Sequence, residues 1–181
     1  MATEKLKIGS ILPKFNLIGV DNKQYSNDYF ADYKILVVIF SCNHCPYVQA
    51  YEERVKAVVD DYKNKGVGLV AINSNDDTGY PEDSFENMKV RAKEKNFNFP
   101  YLRDEIQDTA KAFGATHTPE IFVFDSKKEL RYHGKMDDNW QEENKVANTY
   151  LRDALDELLE GKEISVPETY SIGCTIKWKI K

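Results

Sequence analysis

Long hydrophobic runs are what this sequence of 181 residues lacks first: its longest unbroken apolar stretch, Ile35 to Phe40, is six residues. A membrane-spanning helix needs about 20, so no span and no membrane partner are expected. Positive charge is short too, with 25 Lys and Arg against 30 Asp and Glu, a net charge of −5 and a pI near 5.3. A surface of that sign repels phosphate, which argues against nucleic acid as a partner. Cysteine is sparse at three residues, too few for the disulfide framework of a small secreted protein. The start, Met1-Ala2-Thr3-Glu4-Lys5, opens onto a mixed segment with no apolar signal core. These absences point to a reducing cytoplasm, where a paired cysteine motif is more often catalytic than structural. No repeat, low-complexity block or linker interrupts the chain. Its length suits one domain, residues 1–181, with residues 162–181 as a C-terminal tail.

What is present centres on Ile35-Leu36-Val37-Val38-Ile39-Phe40-Ser41-Cys42-Asn43-His44-Cys45-Pro46. The apolar run, mostly β-branched, reads as a strand buried on both faces. It leads into two cysteines separated by two residues and then into an amphipathic helical pattern. At the first turn of a helix, free backbone N–H groups and the dipole favour a thiolate over a thiol. Two intervening residues let the second sulfur reach back and close a small disulfide ring. His44, when protonated, adds positive charge beside the pair. The thiolate is the attacking species, so each feature raises reactivity. A zinc or iron–sulfur site would need two more ligands at a suitable spacing. Only Cys174, His117, His133 and scattered acids are left to supply them, with no second pair. Two idle thiols are the other reading, and redox use outweighs both.

Along the chain, residues 6 to 20 alternate loosely, and Val20 to Tyr25 reads as a turn into a short strand. Ser26 is placed to cap a short helix through Phe30. From Cys45 to about Lys65, Val48, Tyr51, Val55, Val58 and Tyr62 recur at spacings of three and four, so that face packs on the sheet. Glu52 and Glu53 lie off it and are expected in solvent. Gly66 ends the helix, and Gly68 to Asn73 forms a second buried strand, parallel to the first. A loop, Asn75 to Ser84, precedes a charged helix from Ser84 to Asn96. Tyr101-Leu102 is a short strand and Glu105 to Phe113 a short helix closed by Gly114. Pro119 opens a buried strand to Asp125, where a missing N–H costs little, and Leu130 to Gly134 returns antiparallel to it. A long helix is expected from about Trp140 to Leu159. The tail has no evident place. The fold class is therefore α/β, a central mixed sheet flanked by helices, with an N-terminal hairpin and an inserted helix.

This order, with Cys-x-x-Cys after the first buried parallel strand and Thr-Pro opening a later one, resembles the thioredoxin fold. The N-terminal hairpin and extra helix resemble its redoxin branch, which includes alkyl hydroperoxide reductase and thiol-specific antioxidant proteins and thiol:disulfide oxidoreductases. The residues that carry this are Ile8 to Leu17, Phe40 to Tyr47 and Thr118 to Asp125. The ending, Ile172 to Lys179, is similar to that of a little-characterised bacterial subgroup. The resemblance covers residues 5 to 180. It implies that Cys42 is the exposed nucleophile and Cys45 the buried resolving thiol, that the Thr118–Pro119 bond is cis, and that Thr118 faces the disulfide. It also implies that Thr118 and Pro119 present backbone edge groups to a substrate chain.

Departures from the family sharpen the reading. Ser41 and Asn43-His44 stand where thioredoxins have Trp and Gly-Pro, and His44 before the second cysteine is similar to the oxidising disulfide isomerases. Leu36 stands where thioredoxin has its internal Asp, so Cys45 has no visible proton acceptor there. Where many subgroup relatives carry a cysteine, two before the proline, this chain has His117. The peroxiredoxin motif needs Thr or Ser three residues before the peroxidatic cysteine and Pro seven before it. Those places hold Ile39 and Ile35 counted from Cys42, and Cys42 and Val38 counted from Cys45, so neither frame fits.

The expected activity is thiol:disulfide exchange by Cys42 and Cys45, with His44, Thr118 and Pro119 in support. A thiol-dependent peroxidase, or a redox-sensing or binding module without turnover, is the alternative. No cofactor or metal is called for. The expected partners are a protein or small-molecule disulfide and an external reductase or thiol pool, with the chain a monomer or homodimer. Cys174 is read as an unpaired, partly buried thiol whose replacement by serine keeps most of the exchange rate. Its functional alternative is a third redox thiol that reaches the active site or bridges two chains.

Overall fold

The computed structural model describes residues 4–181, so Met1, Ala2 and Thr3 of the segment read above for an apolar signal core lie outside it. The apolar run becomes β3, Ile35–Ser41, with every residue but the last buried. Successive side chains of a strand point to opposite faces, and here both faces are covered. Leu36, Val38 and Phe40 join one hydrophobic cluster and Ile35, Val37 and Ile39 another. β4, Val67–Asn73, lies parallel to β3 in the register Ile35↔Val67 through Ser41↔Asn73.

With β1 (Asn16–Gly19), β2 (Gln24–Ser26), β5 (Tyr101–Arg103), β7 (Glu120–Phe124) and β8 (Leu130–Gly134), they form a seven-stranded mixed sheet ordered β2-β1-β5-β4-β3-β7-β8. β5 is parallel to β4, whereas β1, β7 and β8 run antiparallel to their neighbours. α1, Pro46–Tyr62, lays Tyr51, Val55, Val58 and Tyr62 on one face beside Leu151, Ala154 and Leu155 of α4, Tyr150–Leu159. The other face carries Phe30, Phe113, Ala110 and the N-terminal Leu12 and Phe15. Gly66 turns the chain between α1 and β4 at φ 80°, a left-handed conformation that glycine adopts freely.

Three expectations need correction. Glu52 is buried at 6% exposure, and its carboxylate accepts two hydrogen bonds from Arg91, at 2.6 and 2.9 Å. It stands four residues after Val48 and three before Val55, on the flank of the apolar face that α2, Phe85–Glu94, covers. The last helix starts at Tyr150 and not Trp140. The Asp138 carboxylate accepts from the backbone N–H groups of Ala147 and Asn148, and Arg54 donates to the carbonyls of Asn139 and Trp140. Those backbone groups are thereby spent outside a helix. Similarly, α3 runs from Asp108 to Phe113, because Gln107 takes φ 65° and Asp104 accepts from the N–H groups of Thr109 and Ala110.

The tail, unplaced from sequence, folds back over the molecule. Glu168 bridges His133 at the free edge of β8. β9, Cys174–Thr175, then pairs antiparallel with β6, His117–Thr118. No helix among the described residues is long and apolar enough to cross a membrane.

Candidate active site

β3 ends at Ser41, and the chain bends through Cys42, Asn43 and His44 before Cys45 takes the N-cap position of α1 with φ −74° and ψ 124°. Pro46 follows at the first helical position, where its missing N–H goes unused and its fixed φ suits the helix. The bend is held by a polar lattice. Asn43 N–H donates to Asp83 Oδ1 at 2.6 Å, its amide donates to the Glu82 carbonyl at 2.8 Å, and its amide oxygen accepts from Tyr101 Oη at 2.8 Å. Asp83 is wholly buried and also accepts from Asn73 at 3.2 Å and Asn75 at 2.9 Å. His44 Nδ1 lies 2.6 Å from Asp83 Oδ2, and the His44 ring stacks on Tyr80 at 5.9 Å between centroids.

Across the bend stands the Thr118–Pro119 peptide, which is cis. Thr118 Oγ1 lies 3.4 Å from Cys42 Sγ, and the Thr118 carbonyl oxygen 3.3 Å from Cys45 Sγ. Glu120 fixes this loop from behind. Its Oε2 accepts the N–H groups of Thr116 and His117, at 2.7 and 3.0 Å, and its Oε1 meets His133 Nε2 at 2.6 Å. Burial would raise the Glu120 pKa, but His133 and the two N–H groups outweigh it and hold the carboxyl below its usual range. A lowered acid contributes stability that is complete above its unfolded pKa of about 4.3 and is lost as pH falls through the folded value. Glu120→Gln should therefore flatten the acid limb of stability. Urea midpoints from pH 6 to pH 2.5 should show the wild-type advantage shrinking below pH ~4; a constant gap would contradict the assignment.

The sulfurs are more enclosed than the family resemblance implies: Cys42 is 2% exposed and Cys45 fully buried. Cys42 is therefore a covered nucleophile candidate and not an exposed one. The proton of the pair also lies differently. The Cys42 thiol donates to Cys45, and with burial and the nearby Asp83 charge this pushes the Cys42 pKa well above the ordinary thiol value. Cys45 receives that thiol, the Cys174 thiol and the N–H groups of Val48 and Cys174, and is held down to about 4 despite burial. Within the pair the proton is thus held more tightly by Cys42 than by Cys45.

Further placements concern single residues. Leu36, where no proton acceptor was expected, lies in the core on one face of β3; the carboxylate that reaches the pair is Asp83, from the loop before α2. No local pattern distinguishes Asp83 from Asp76, Asp77 and Glu82 in that loop, so sequence reasoning missed it. The edge that Thr118 was expected to offer a substrate chain is occupied by β9, with Thr118 opposite Cys174. Cys174 itself, left without a partner in the sequence, packs against Cys42, Cys45 and Val48. His117 points elsewhere, its Nδ1 lying 2.8 Å from Thr116 Oγ1. Donor atoms of Cys42, His44 and Asp83 lie within 4.8 Å of one another, the types a zinc ion takes. Both Asp83 oxygens, however, already have two partners each.

This geometry sits at the carboxyl ends of parallel strands, where open α/β sheets place their sites. The Redoxin family model matches residues 7–151. A conserved protein of Geobacillus kaustophilus of uncharacterised role is 41% identical, with 97% of this chain and 94% of that one covered and a TM-score of 0.92. The thioredoxin domain of a thiol-disulfide oxidoreductase from Bacteroides vulgatus shares the fold at 16% identity and TM-score 0.60, covering 70% and 86%. Peroxidoxin BcpB from Mycobacterium tuberculosis does so at 15% and 0.61, covering 86% and 95%. No curated protein matches the chain. The fold is thus thioredoxin-like, with thiol-disulfide oxidoreductase and peroxiredoxin neighbours, and the chain belongs to the Redoxin family.

Proposed function

We propose that the protein, working as one domain, is a thiol:disulfide oxidoreductase in which Cys42 attacks and Cys45 resolves. The observation that carries this reading is the pair of contacts that Thr118 makes, because they suit the attacking state. The singly deprotonated pair shares one proton, which Cys42 holds more tightly than Cys45. As a substrate disulfide approaches, Cys45 takes the Cys42 proton; its thiol can then donate to the Thr118 carbonyl, while the Thr118 hydroxyl donates to the new Cys42 thiolate. Cys42 bonds to one substrate sulfur and the other leaves as a thiolate. Cys45 then attacks the Cys42 sulfur, its proton passing to the second departing thiol, and the Cys42–Cys45 disulfide remains. One disulfide has been reduced and one formed. The family implies no organic cofactor for this, and a separate reductase or thiol pool returns the two electrons.

Accelerated reduction of a generic disulfide by dithiothreitol tests the reading. Peroxide consumption without disulfide turnover would favour the peroxidase. Neither activity, with the disulfide still forming, would favour a sensor. Ile39 and Ile35, in the positions that peroxidases fill with a hydroxyl and a proline, are buried on the α1 side of the sheet, which supports exchange. The reduction potential would then give direction. A value near about −270 mV marks a reductant, and one near −120 to −180 mV an oxidant or isomerase.

His44 offers a separate check. Its ring, when protonated, offsets the Asp83 charge that opposes a thiolate on Cys42. His44→Ala should raise the pKa at which the pair first ionises, destabilise the reduced pair and make it less oxidising, each 30 mV corresponding to about 1.4 kcal/mol. Thiolate absorbance against pH and a glutathione redox titration read the two effects independently. If neither moves, His44 serves only as a stacking partner for Tyr80.

A further inference from the structure

We propose that Cys174 is a third redox thiol in series with the pair: it attacks Cys45 of the Cys42–Cys45 disulfide, forms a Cys45–Cys174 disulfide and releases Cys42. The inference rests on the reading of Cys42 and Cys45 given above and extends it to the tail. Cys174 is brought to the site by a built strand, not by a loose end. Thr118 faces Cys174 across the β6–β9 pair, and Ile176 N–H donates to the Thr116 carbonyl at 2.9 Å. Ile176 itself is buried at 3% exposure.

Beyond it, Lys177 N–H donates to Asn75 Oδ1, while the Lys177 carbonyl accepts from Asp76 N–H at 2.7 Å and from Gln107 at 2.9 Å. On the other side of Cys174 the approach depends on Gly173, where a Cβ would fall 2.1 Å from the Thr118 carbonyl oxygen. Only glycine lets the tail run this close to the cis peptide.

The three sulfurs have an order. Cys42, Cys45 and Cys174 share one packed cluster, and Cys45 Sγ touches the carbonyl of Thr118, the residue directly opposite Cys174, so Cys45 can pair with either. It is fully buried, whereas Cys174 is partly exposed. The exchange balances without an outside oxidant. The Cys174 sulfur bonds to Cys45, the Cys42–Cys45 bond breaks, and the Cys174 proton ends on Cys42; no electrons enter or leave. Charge gates the step. In the reduced protein, burial and the neighbouring Cys45 sulfur keep Cys174 protonated, its pKa pushed up to about 11. Forming the Cys42–Cys45 disulfide takes away the charge that Cys45 can carry and leaves the Lys177 ammonium, which favours the thiolate. Cys174 is thus released to attack when there is a disulfide to receive it. An external thiol reductant then meets the oxidised protein at the accessible Cys174 sulfur, apart from the Cys42 side where substrate reacts.

The test is disulfide mapping by mass spectrometry after acid quench, with one equivalent of oxidised glutathione as oxidant. Cys42→Ser should yield an intramolecular Cys45–Cys174 disulfide, and the intact protein should show Cys42–Cys45 first and Cys45–Cys174 later. Cys174→Ser should lose tenfold or more in steady-state recycling by reduced glutathione. If Cys42→Ser gives only separate glutathione adducts or free thiols, or if Cys174→Ser recycles at the wild-type rate, the series is overturned. Failure of the parent reading looks different: the intact protein would form no Cys42–Cys45 disulfide, whatever the Cys42→Ser protein does.

Discussion

Cys42→Ser should abolish disulfide exchange, a loss of at least about a thousandfold, or roughly 4 kcal/mol in barrier. The atom that forms the mixed disulfide is gone, and serine offers no thiolate. Cys45→Ser should fail in another way. Attack still occurs, although more slowly near neutral pH because the Cys45 anion that accepts the Cys42 proton is missing. The mixed disulfide that follows has no resolving sulfur. Client proteins or small thiols should accumulate on Cys42, visible as a mass increase that dithiothreitol removes. If Cys42→Ser captured clients while Cys45→Ser captured none, the assigned roles would be reversed. That outcome has a physical basis to be tested against, since Cys45 ionises more readily than Cys42. Position along the chain favours Cys42: it stands in the bend before α1, whereas Cys45 is the N-cap of α1 with its sulfur against the Thr118 carbonyl.

The second large effect is on stability. Phe122 is fully buried in the sheet, its ring edge-on to Phe40 at 5.8 Å and Phe113 at 5.2 Å and tilted against His133 at 4.6 Å. Phe122→Ala should cost about 3–5 kcal/mol from lost burial and the cavity left behind. The lost edge-to-face contacts place it toward the upper end. For a chain of this size the melting temperature should fall by about 10 °C or more. Urea unfolding measures it, and a loss under about 1 kcal/mol would mean that the aromatic cluster closes over the gap. The same change loosens the packing on the His133–Glu120 pair behind the cis peptide, so exchange activity should fall along with stability.

Much of this architecture was legible because local pattern and tertiary role coincide. The six apolar residues of β3 could be buried on both faces only in the middle of a sheet. Cys-x-x-Cys before a helical period, with a later Thr-Pro, marked the two halves of the site. Other features hid because they depend on what approaches from far along the chain. Glu52 reads as a solvent residue until Arg91 arrives from α2. The stretch from Trp140 to Thr149 has helical composition, but Arg54 and Asp138 capture its backbone groups. Asp83 is one acid among several in a polar loop, and only the fold selects it. Cys174 is separated from Cys45 by 129 positions (174 − 45), and nothing in either segment announces the other.

That separation gives the β6–β9 pair a temporal meaning. A ribosome adding about 5–20 residues per second needs roughly 6 to 26 s to travel from Cys45 to Cys174. Over the last 56 residues of that interval, from Thr118 to Cys174, the nascent chain carries both active-site sulfurs and the edge of Thr118 without the strand that later lies against them. An emerging chain is then a two-thiol protein with an open flank, and becomes a three-thiol protein only when its last residues dock. Newly made and mature molecules should accordingly differ in which thiols they exchange with.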